Sequence, residues 1–83
     1  MKQFEHVLMN RYHYQTGATC FDTIDRIKLG IQGYIIGLYA QPDIETSLTK
    51  LETGWRLVAE YEADRDLTEN LERIANTYKK GAV

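Results

Sequence analysis

The amino-acid sequence predicts an all-α fold: a small antiparallel bundle of three to four helices, with residues 1–83 forming a single helical domain. Three observations predict it. Apolar residues from Phe21 onward recur at intervals of three and four, the spacing of one face of a 3.6-residue helix. The single proline, Pro42, divides this pattern into two long stripes. Residues suited to helix starts, Thr19 and Asp66, stand just before apolar stripes.

The first element rests on Phe4, Leu8 and Tyr12, with Val7 beside them, and reads as a short helix within the first fifteen residues. Arg11-Tyr12-His13-Tyr14-Gln15 also alternates in the manner of a short strand. Thr16 to Thr19 forms the loop that follows. The second helix carries Phe21, Ile24, Ile27, Ile31, Tyr34 and Leu38 on one stripe. Thr19-x-x-Asp22 is a weakened capping box at its start, and Asp22 and Arg26 have the i,i+4 spacing of a surface ion pair. It should end near Ala40, because the residue before Pro42 is pushed out of the α region.

Pro42 suits the first turn of a third helix, with Asp43 and Glu45 favoured by the helix dipole. Ile44, Leu48, Leu51, Trp55, Val58 and Tyr61 then follow at nearly heptad spacing. Gly54 is its weak point, costing about 1 kcal/mol relative to Ala. Trp55 to Tyr61 taken alone would pass for an alternating strand. Asp66-Leu67-Thr68-Glu69 opens the last helix as a capping box, and Leu67, Leu71, Ile74 and Tyr78 form its stripe. Lys79 and Lys80 suit its end, and Gly81 its stop.

A chain of 83 residues buries only about 60% of the surface that its unfolded form exposes, so a partner that shares the core adds stability. Homo-oligomerisation is therefore expected. Gly30, Gly33 and Gly37, extended by Ala40, fall on one face of the second helix. Three such glycines cost about 2 to 3 kcal/mol in helix propensity unless close packing compensates. They lack the Gly-Lys-Ser/Thr ending of a phosphate loop.

Catalytic patterns are sparse. Ser47 is the only serine and Cys20 the only cysteine, so neither a serine-hydrolase elbow nor a disulfide framework or paired-cysteine zinc site can be assembled. His6 and His13, seven residues apart, would lie about 10 Å apart on a helix, too far to grip one metal unaided. The expected protein is non-enzymatic, with no cofactor and no metal.

Recognition has two candidate surfaces. Arg11, Tyr12, His13 and Tyr14 combine the residue types enriched at interface hot spots. Glu60, Glu62 and Asp64 begin an acidic stretch that runs through Asp66, Glu69 and Glu72, and either binds a basic surface by charge complementarity or is simply solvated. Ten basic against twelve acidic residues give a net charge of −2, which argues against direct nucleic-acid binding. The apolar-rich run from Leu29 to Ala40 is about half a membrane span, and the amino-terminal segment lacks a secretory pattern. A cytoplasmic location without membrane contact is expected.

The expected function is that of a helical interaction module: a homo-oligomer that binds and regulates or inhibits another macromolecule, as small phage or mobile-element inhibitors and adaptors do. The alternative is a small-ligand or nucleotide-binding protein with a subunit-interface pocket of Arg11, Tyr12, Tyr14 and possible contributions from Tyr34 or Tyr39.

Overall fold

The computed structural model describes residues 1–10 and 18–79. It holds a strand β1 (Lys2–Met9), a helix α1 (Cys20–Leu38), strands β2 (Ile44–Lys50) and β3 (Gly54–Tyr61), and a helix α2 (Thr68–Lys79). The strands form one sheet in the order β1-β3-β2, with β3 antiparallel to both neighbours. β1 and β2 consequently run parallel on either side of β3, and α1 joins them in a split β-α-β arrangement. The all-α bundle is thus corrected to a three-stranded antiparallel sheet packed with two helices.

The correction concerns the first and third predicted helices, and its cause is arithmetic. A spacing of four satisfies both a helical face and a strand face, because four is also a multiple of two. Phe4 and Leu8 are such a pair. In β1 they point inward and are buried, while the intervening His6 is half-buried on the same side and stacks on Phe4. Ile44 and Leu48 form a second pair in β2, and Leu57 and Tyr61 a third in β3. The turn at 51–53 shifts the inward positions from even to odd numbers, and that shift made the combined stripe resemble a heptad.

Gly54 belongs to the sheet rather than to a weak helix turn. It lies opposite Met9, where a Cβ would run into the backbone carbonyl of Leu8. Only glycine allows the two strands to come this close.

α1 and α2 form where the sequence predicts them. Thr19 accepts a hydrogen bond from the Asp22 amide at 3.0 Å, and the Asp22 carboxylate accepts from the Thr19 amide at 3.2 Å, closing the capping box. The predicted Asp22–Arg26 ion pair is replaced by one between Lys28 and Asp25 at 3.0 Å. The buried stripe also sits slightly differently: Ile24, Ile27 and Ile31 continue to Ile35, whereas Phe21 and Leu38 remain partly exposed. At α2, Asp66 accepts from both the amide and the hydroxyl of Thr68. Glu69 does not complete that box; it faces Arg73 at 4.0 Å.

Both helices cover one face of the sheet, α1 mainly over β3 and α2 over β1. The core between the layers contains Phe4, Leu8, Leu57 and Tyr61 from the sheet with the isoleucines of α1 and Leu67, Leu71 and Ala75 beneath α2. Each fully buried Leu or Ile contributes about 1.5–3 kcal/mol of transfer free energy. No helix among the described residues is long and apolar enough to cross a membrane.

Candidate functional site: two open faces

Two surfaces are left uncovered by the packing of the described residues. The first is the outer side of α1. Leu29 and Ile36 are 55% and 53% exposed there, and between and beside them a Cβ added at Gly33 or Gly37 would meet nothing within 4 Å among the described residues. The whole segment 29–42 is uncharged. Gly30 behaves differently from its two companions. A Cβ at Gly30 would come within 2.8 Å of the Tyr78 ring and 3.2 Å of the Ile74 methyl, so this glycine seats α1 against α2. Ala40 is exposed and lies just beyond the helix. The single predicted strip therefore divides into one internal contact and one open apolar patch.

The second surface is the side of the sheet turned away from the helices. Strand alternation places Glu5 and Val7 of β1, Arg56, Val58 and Glu60 of β3, and Glu45 of β2 on it. Glu60 and Glu45 are paired directly across β3 and β2, a position in which like charges repel. Both are exposed, and neither carboxylate takes part in a hydrogen bond or ion pair among the described residues. Arg56 lies toward the other end of the face, opposite Val7 and Thr49. Its Nε is enclosed without an acceptor. A shallow depression lined by Glu45, Ser47, Val58 and Glu60 runs between the strands.

The predicted acidic group is divided by the fold. Glu60 points to the outer sheet face, whereas Glu62 receives the terminal amino group at 3.3 Å. Asp64 accepts a 2.6 Å hydrogen bond from the Tyr39 hydroxyl. That bond holds the Asp64 carboxyl below the usual aspartate range and pushes the Tyr39 phenol up. Asp22 is likewise lowered, chiefly by the Thr19 amide, and Asp66 by the Thr68 hydroxyl. These three aspartates hold loops and helix starts in place. Sequence reasoning missed the outer sheet face because Glu45 was assigned to a helix start, which concealed its pairing with Glu60.

Arg11, Tyr12, His13 and Tyr14 lie outside the described residues. Of the tyrosines considered for a ligand pocket, Tyr34 accepts from the Asn70 amide at 2.9 Å and Tyr39 is engaged by Asp64; both tie α1 to the segments around α2. Cys20 is buried, with its thiol 3.5 Å from the Leu8 carbonyl. Ser47 is exposed on β2. Among the described residues, no group of three or more His, Cys, Asp or Glu side chains could hold a metal ion. Comparisons with protein-family models, curated proteins and solved structures find no match.

Proposed function

We propose that the protein is a non-enzymatic interaction module that self-associates through the outer side of α1 and presents the rest of its surface to a macromolecular partner. The observation that carries this reading is the patch of Leu29, Gly33, Ile36 and Gly37. Gly33 and Gly37 each lower helix stability by about 1 kcal/mol relative to Ala, and no contact among the described residues requires their lack of a side chain. Close approach of another backbone is the physical circumstance in which a missing Cβ is an advantage.

A second copy fits the patch. Leu29 and Gly37 each lie four residues from Gly33, so an antiparallel crossing about Gly33 sets each Leu29 over the partner's Gly37. The lack of charge across 29–42 leaves no repulsion to oppose this contact. Two copies joined in this way gain the shared burial that so short a chain otherwise lacks.

Gly33→Leu tests the proposal by blocking the crossing. The expected result is a folded protein with half the solution mass of the wild type. An unchanged mass would remove the self-association surface. The cytoplasmic location and the regulatory or inhibitory role toward the partner belong to this same reading.

A further inference from the structure

We infer that the outer face of the sheet is the docking surface for a basic protein segment, one that brings two Lys or Arg side chains to Glu45 and Glu60 and a carboxylate to Arg56. The inference rests on the interaction-module reading and adds the partner's chemistry to it.

Charge layout carries the argument. Residues directly opposite on antiparallel strands have Cβ atoms about 4.5–5.5 Å apart, and the register sets Glu45 against Glu60. Neither carboxylate has a cation to neutralise it within the described chain. The face therefore keeps two adjacent negative charges whose repulsion works against the free fold. An external pair of cations removes that repulsion and gains attraction at both positions.

Arg56 fixes the orientation. It stands four residues before Glu60 on β3, which is roughly 13 Å at strand rise. It forms no ion pair within the described chain, and its Nε has no acceptor. Between the two charged ends, Val58 is half-buried with the exposed Glu5 opposite it on β1, while Val7 stands beside Arg56, so apolar contact is confined to Val58 and Val7 and a third carboxylate adds to the negative end. A helix laid along β3 would meet this pattern with its basic pair and its acid about nine residues apart. A phosphate backbone, uniformly negative, is repelled at the Glu45–Glu60 end.

The test uses the full chain and a labelled, alanine-rich helical peptide with two lysines at one end and a glutamate nine residues away. Binding should weaken as salt rises. Glu45→Gln with Glu60→Gln should reduce affinity about tenfold, and Arg56→Glu should also reduce it. Glu69→Gln with Glu72→Gln, which removes the same charge from α2, should leave affinity unchanged. Melting of the Glu45/Glu60 variant should be equal to or above that of the wild type, since a repulsion has been relieved.

Absence of binding, or equal loss in the two double variants, overturns the assignment. A fall in solution mass on changing Glu45 and Glu60 overturns it differently, by making the face a contact between copies. A protein that remains dimeric yet ignores the peptide fails this inference alone; a monomer that binds it fails only the self-association reading.

Discussion

Gly54 and Tyr39 show how single residues hold the sheet and its connections in place. A side chain at Gly54 would meet the backbone of Leu8 and Met9, which cannot rotate away as a side-chain end can. Gly54→Ala is therefore expected to destabilise the fold by about 1–3 kcal/mol, read as a melting temperature lower by several degrees. An unchanged melting temperature would contradict the close pairing of β1 with β3. Tyr39 acts through its bond to Asp64. In Tyr39→Phe, the Asp64 carboxyl should titrate higher, toward the ordinary aspartate range, as followed by carboxylate NMR. The sign for stability follows from the lowered native values of Asp22, Asp64 and Asp66. In acid the unfolded chain binds more protons than the native one, so their contribution is complete above about pH 4 and is lost as pH falls through the lowered native values. The raised Tyr39 phenol works in the opposite direction: its contribution is complete below about pH 10 and is lost as pH rises through the native value. If Tyr39→Phe leaves both the Asp64 titration and the acid limb of stability unchanged, the bond does not hold in solution.

At the scale of elements, capping chemistry was the readable part of the sequence. Thr19 and Asp22 form the reciprocal box that their spacing predicts, and Thr19→Ala should cost about 1 kcal/mol in denaturant unfolding; no change in midpoint would remove the cap from the account of α1. Asp66 likewise marks the start of α2. The strands were harder to read for a physical reason. Phe4 with Leu8 and Ile44 with Leu48 are spaced by four, which fits both periodicities, so only the intervening residues could decide. In β2 those are Glu45, Thr46 and Ser47, where Thr46 turns inward to accept from the Gln32 amide at 2.8 Å. A threonine satisfied by a helix side chain carries no apolar mark of the strand face. The run from Trp55 to Tyr61 did carry the alternating mark, with Trp55, Leu57, Ala59 and Tyr61 turned inward, but joining it to the preceding stripe hid the turn at 51–53. The candidate surfaces were legible to the same extent. The glycines were visible as a group, yet the separation of Gly30 from Gly33 and Gly37 depends on where α2 lies, and the Glu45–Glu60 pair exists only once two strands are in register.

At the scale of the whole fold, the described residues place two helices on one face of a three-stranded sheet, and their packing leaves two surfaces of opposite character. The back of α1 is apolar, uncharged and interrupted by glycines; the outer sheet face is charged and unpaired. Their positions on opposite sides of the domain allow one to join copies while the other remains open to a partner. Self-association through α1 is the central functional claim, and docking on the sheet face stands or falls separately from it. The measurement that tests it most directly is the solution mass by light scattering of the wild type beside Gly33→Leu, over a range of concentrations. The account predicts twice the chain mass for the wild type and a single chain for the variant, with both folded. A wild-type protein that stays a single chain throughout that range, or a variant that keeps the doubled mass, would contradict it.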